Sequence, residues 1–182
     1  MIQVPESHPL RRWFAALVED CFQQELALAD VRVLDYLTEL LTAFIDVRRI
    51  HVPNEEDGRE IEDLAGMLCA AELGPGAADA ERRRLYHRHI GDYTLFWAGI
   101  YPEDLRRRRR HSDRDRLLDY RAQGKRSYGI ASELSDASSI PQADVLHALS
   151  EHFEYCIYGL GLVRKRWERG EPNGGGEIAL LP

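Results

Sequence analysis

The sequence predicts an all-α fold, an antiparallel bundle of about six helices. Three observations carry that expectation. Apolar residues recur at helical spacings of three and four along most of the chain. No segment alternates apolar and polar residues as a half-buried strand does. Asp, Pro and Gly stand at helix-length intervals, where helices start and stop.

A first helix is expected from about Pro9, a good first-turn residue, through "LRRWFAALVEDCFQQEL". Asp30 is placed to cap a second, whose residues Val33, Leu34, Leu37, Leu41 and Phe44 form one apolar face. "HVPNEEDG" breaks the pattern at Pro53 and Gly58. A short helix, "REIEDLAGMLCAAEL", should stop at Gly74-Pro75. Asp79 caps a fourth helix that should end near Tyr101, because Pro102 follows. A fifth is expected from about Asp113 to Leu134, with Leu117, Tyr120, Gly124, Tyr128 and Ala131 on its inner row. "SDASSIPQ" reads as a loop, and a sixth helix covers Ala143 to Arg169. Residues 1–170 therefore read as a single helical-bundle domain, with the fourth, fifth and sixth helices central. Residues 171–182 read as a flexible Gly-rich tail.

Composition narrows the class. In 182 residues, 44% hydrophobic and 30% charged, there is enough apolar material for a core without staples, and no run is long enough to span a membrane. No basic end followed by an apolar segment marks a secretory signal. Cys21, Cys69 and Cys156 are odd in number and widely spaced, so they read as reduced, half-buried thiols of a cytoplasmic protein. The net charge of −7 is unevenly spread. Between Arg82 and Arg126 stand 14 Lys or Arg against 6 Asp or Glu, and the remainder carries 10 against 25. A basic centre between acidic flanks can be matched within the molecule or by an anionic partner.

"LYHRHIGDYTLFWAGIYPE" carries the candidate site. On a helix, Tyr86, Ile90, Tyr93, Trp97 and Ile100 share the core-facing row. His89 and Asp92 lie one turn apart on its border, and His87, Gly91, Thr94 and Ala98 form a third row. Interior glycines cost stability, so Gly91, with Gly124, Gly129, Gly159 and Gly161 on later helices, implies a close approach. The first reading is another helix; the second is a flat ligand lying on the backbone. His152 and Cys156 are expected to face inward on the sixth helix. Tyr155 and Tyr158 stand with them, and buried tyrosines need polar partners such as Ser127 and Glu133. Tyr86, His87, His89, Asp92, Tyr93, Tyr128 and His152 thus define a candidate polar seam, serving helix register or a small polar ligand. No Glu-x-x-His, H-E-x-x-H or phosphate-loop signature is present, and no metal set is assigned.

Two resemblances accompany these residues. Across most of its length the chain resembles a group of uncharacterised bacterial all-helical proteins carrying segments like "HRHIGDYTLFW" and "YGLGLVR", which implies no function. Residues Tyr86 to Asp92, "YHRHIGD", are similar to the Y-x-R-x-L-G-D segment of haem oxygenases. That resemblance implies a distal helix over haem, with Gly91 admitting the ring, Asp92 ordering the distal water, and Tyr86 or Arg88 toward a propionate. The serine and paired glycines that follow in that family are here Thr94, Leu95 and Phe96, and the first helix offers only His8 as a proximal ligand.

Five consecutive arginines, Arg106 to Arg110, are expected on an exposed turn flanked by Glu103, Asp104, Asp113 and Asp115. Guanidinium forks suit phosphates. The neighbouring acids and the absence of a nucleic-acid-binding motif favour solubility or an acidic protein contact instead. The functional expectation is a non-catalytic interaction or small-ligand-binding module, with a protein partner or a second copy. The alternative is a haem- or iron-dependent oxidoreductase using the seam.

Overall fold

A computed structural model describes residues 8–26, 30–44, 52–53, 60–111, 114–115 and 117–170. The fold is all-α, with eight α-helices among the described residues. None is long and apolar enough to cross a membrane.

Helix α1 (Pro9–Glu19) is capped by His8, whose Nδ1 accepts the Leu10 N–H at 3.3 Å. The helix then widens into a π-helical turn, Asp20–Glu25, that keeps Cys21 and Phe22 in the core. Helix α2 (Val31–Phe44) starts where Asp30 accepts the Arg32 N–H, and its expected apolar face is buried. Two residues on each side, Val52–Pro53 and Glu60–Ile61, pair antiparallel as a minimal ribbon. Helix α3 (Leu64–Leu73) stops at Gly74 as expected, but begins later than the apolar pattern indicated. Its first amides are held by two carboxylates. Asp63 takes Gly66 N–H at 2.6 Å, and Asp115 takes Leu64 and Ala65 N–H at 3.1 and 2.9 Å.

Helix α4 (Ala80–Ile100) follows the Asp79 cap and is the axis of the bundle. From Ile90 to Ile100 every residue is buried, because α2, α3, α6 and α8 surround it. Helix α5 (Pro102–His111) begins directly after Tyr101, with Pro102 at a first-turn position. The arginine run therefore lies on a helix, not on the turn expected from sequence. Proline at the first position costs no hydrogen bond, and Glu103 and Asp104 favour the positive helix end. Arg106 and Arg107 are exposed, with Arg107 3.6 Å from Asp104. The side chains of Arg108, Arg109 and Arg110, together with the whole 171–182 tail, lie outside the described residues.

Helix α6 (Tyr120–Glu133) starts later than the sequence indicated, because Asp119 caps it and Asp115 is engaged under α3. Leu117 consequently leaves the inner row and is 92% exposed. The expected sixth helix is two, α7 (Ala143–Glu151) and α8 (Phe153–Arg169), joined at His152 with φ −102° and ψ 25°. The bend turns the faces out of one register. Phe153 enters the core against Gly124, while His152 is exposed, contrary to its expected inward placement. Tyr155 and Tyr158 are likewise exposed, at 57% and 59%, and Glu133 is exposed on α6. Gly170, in the left-handed conformation, ends α8.

Candidate functional site

Asp92 is the hub of the buried polar groups. It lies on α4 and is only 5% exposed, and its Oδ1 accepts from Tyr36 Oη of α2 at 2.5 Å and from Tyr128 Oη of α6 at 2.8 Å. Arg88, one turn earlier, donates from Nε to Tyr36 Oη at 3.1 Å and lies 3.7 Å from Asp92 Oδ2. Burial, then the Asp92 charge, push both phenols well above their ordinary pKa, so both act as neutral donors. Burial pulls Arg88 downward, but Tyr36 and Asp92 outweigh it and hold the guanidinium charged. This network ties three helices to one carboxylate and fixes their register.

The other seam residues go elsewhere. His87 is buried between α3 and α6, with Nε2 3.1 Å from Glu72 Oε1 and Nδ1 3.4 Å from Ser127 Oγ. A Ser–His–Glu row has the composition of a nucleophilic triad. Here His87 and Ser127 are each 1% exposed, so no carbonyl substrate reaches the hydroxyl. His89 stacks on Phe44 at 6.0 Å. Tyr93 donates to the Glu62 carbonyl at 3.1 Å and packs near Tyr120, whose hydroxyl donates to Asp115 at 2.5 Å. Tyr86 is half-buried on the wall of a separate groove beside Cys69. The seam is thus several separate networks around α4. It brings Asp92 and Tyr128 together, and it does not include His152. Cys69 is exposed, whereas Cys21 and Cys156 are buried, and burial pushes the Cys156 thiol up to about 12.

Gly91, Gly99, Gly124 and Gly159 serve helix packing, whereas Gly129 and Gly161, also expected to mark close approaches, have no tight neighbour. A Cβ on Gly91 would lie 2.6 Å from the Tyr128 ring, and one on Gly99 2.7 Å from Leu160. Gly124 is covered by Thr94 and Phe153, and Gly159 by Phe22. The same facts bear on the haem seat implied by the "YHRHIGD" resemblance. The face of Gly91 is filled by Tyr128, Asp92 is engaged by two tyrosines, and His8 is exposed with Nδ1 spent on a helix cap. These residues do not fit a haem group, and no step is routed through one. Among the described residues, no three His, Cys, Asp or Glu side chains converge as a metal set.

An accessible site opens beside the Asp92 network. A cleft of about 800 Å³ lies between α2, α4 and the 135–141 loop, with Tyr36 and Arg88 on its wall. Arg84 stands one turn before Arg88, also on the wall, and is 3% exposed. Its Nε and Nη2 donate to Glu81 at 2.6 and 2.7 Å, while its Nη1 is buried with no acceptor among the described residues. The loop carries Asp136, whose Oδ1 accepts from the Ser138 amide and from both the Ser138 and Ser139 hydroxyls. It is tied to α4 by Arg88, which donates to the Ile140 carbonyl at 3.2 Å. Sequence reading missed Tyr36, Arg84 and this loop. Tyr36 was accessible to it, since Val33, Tyr36, Leu40 and Phe44 recur at three and four.

No family model, no curated protein and no solved structure matches this chain.

Proposed function

We propose that this protein is a non-catalytic helical module that binds a small polar ligand in the cleft between α2, α4 and the 135–141 loop. The observation that carries the reading is Arg84. A guanidinium nitrogen buried without an acceptor costs about 1–3 kcal/mol, and more for a charged group. A ligand acceptor recovers that cost once the cleft wall shifts to uncover this nitrogen, which is buried. The cleft volume falls in the range of small-molecule sites, and Asp92 holds Tyr36 and Arg88 in place beneath it.

Ligand binding to the folded state alone adds stability, about 2.7 kcal/mol at a hundredfold excess over Kd. Thermal melts against a panel of small polar compounds should reveal a stabilising compound whose effect is lost in Arg84→Met. A compound that stabilises wild type and Arg84→Met equally, or a panel with no effect on wild type, contradicts the reading.

A further inference from the structure

We propose that the ligand of this cleft is a small zwitterion of the amino-acid class, with one carboxylate and one ammonium group. The inference rests on the cleft being the binding site. Its lining carries both signs of charge, two guanidinium groups and three carboxylates.

On α4, Arg84 and Arg88 line the cleft one turn apart, and Arg84 Nη1 is buried with no acceptor among the described residues. A carboxylate is a planar acceptor suited to that donor. The lining also carries carboxylates, Glu81 on α4, Glu39 on α2 and Asp136 on the loop. Asp136 keeps Oδ2 without a hydrogen bond among the described residues, because the serine donors all go to Oδ1. Glu39 is only loosely engaged, with Oε1 3.6 Å from Arg11. Hydrogen bonds from Arg84 hold the Glu81 carboxyl below its ordinary pKa, while the charge of Asp136 pushes the other way.

Charge balance excludes the simpler ligands. Glu81, Glu39 and Asp136 together outnumber the two arginines, so a phosphate or nucleotide entering the cleft meets net repulsion. A plain cation leaves Arg84 Nη1 without an acceptor. A zwitterion places its carboxylate at Arg84 and its ammonium at Asp136 and Glu39, and adds no net charge. Leu85, Ile140 and Pro141 at the rim offer apolar surface to a side chain.

The test uses the full chain and nitrogen-15 amide spectra. The probes are L-leucine, L-arginine and L-glutamate, the N-acetyl form of each, the carboxamide form of each, and inorganic phosphate, each to about 10 mM, well above a millimolar Kd. At least one free amino acid should shift the amides of residues 81–88 and 136–141. Its N-acetyl and carboxamide forms should bind about tenfold more weakly, a difference of about 1.4 kcal/mol. Asp136→Asn, an exposed change that spares the core, should weaken the free amino acid and leave its N-acetyl form unaffected. An N-acetyl form, a carboxamide or phosphate that binds at those amides as tightly as the free amino acid overturns the zwitterion and leaves the cleft standing. Silence of the cleft amides toward every probe overturns the zwitterion, and the thermal melts against the wider panel then decide whether the cleft binds a ligand at all.

Discussion

His87 is the buried group whose protonation matters most for stability near neutral pH. Desolvation lowers its pKa below the ordinary 6.5, with Glu72 opposing and Arg83 assisting. The unfolded chain then holds more protons than the folded one as pH falls below about 6.5, so stability present above that pH is lost on acidification toward the lower folded value. His87→Gln keeps a polar side chain between Glu72 and Ser127 and removes the titration. Urea midpoints at about pH 7.5 and pH 5.5 should therefore separate more in wild type than in His87→Gln. Equal separations would show that His87 contributes no linkage. The Asp92 hub obeys a different logic. Burial and the Asp92 charge raise its two phenols well above their ordinary pKa, so neither donor titrates over the same range.

Between elements, small residues set how closely helices approach, and two glycines give opposite expectations. Gly124 lies where α6 meets Thr94 of α4 and Phe153 of α8. A methyl group there must displace both, and overpacking of this kind costs about 1–3 kcal/mol. Gly161 has only the Gly99 carbonyl near its missing Cβ, at 3.7 Å, an ordinary contact. Replacing it with alanine should gain the helix-propensity difference, about 0.5–1 kcal/mol. Chemical denaturation should therefore show Gly124→Ala destabilised and Gly161→Ala stabilised, and two shifts of the same sign would refute the packing account. The element boundaries follow similar reasoning. Asp119 and Asp115 both lie within the segment first read as one helix, yet one caps α6 and the other reaches α3. Periodicity alone does not tell a capping aspartate from a helical one.

At the scale of the molecule, the basic centre and acidic flanks meet partly within the chain. Arg83 pairs with Glu72 at 2.9 Å, Lys125 with Glu154 at 3.5 Å, and Arg114 lies 3.9 Å from Asp63. On α5, Arg106 and Arg107 are exposed. Because the run is helical, glutamine is the informative replacement. It matches arginine in helix propensity, whereas serine does not. Changing all five arginines to glutamine should shift stability by no more than about 0.5 kcal/mol per site. Wild type should show no tight complex with single- or double-stranded nucleic acid at physiological salt, since the net charge is −7. Tight binding that weakens steeply with salt and disappears in the glutamine variant would make α5 a nucleic-acid contact.

By itself the sequence determined the all-α class, the buried face of α2, the aspartate caps of α2 and α4, and the stops at Gly74 and Pro102. These are local signals, because a helix face repeats every three or four residues and a cap reaches only two or three residues along the chain. It also placed Asp92 and Tyr128 among seven candidates for a polar seam and gave Gly91 the purpose of admitting a close neighbour. Only the tertiary structure decided what each of them meets. Tyr36 and Tyr128 stand on helices far from α4 in sequence and converge on one carboxylate, and Tyr128 takes the space that Gly91 leaves. The bend at His152, the burial of Arg84 and the cleft beside it likewise depend on packing between distant segments. A spacing rule cannot encode them, because whether a polar side chain finds a partner, water or a ligand is set by which helices surround it, not by its neighbours in the chain.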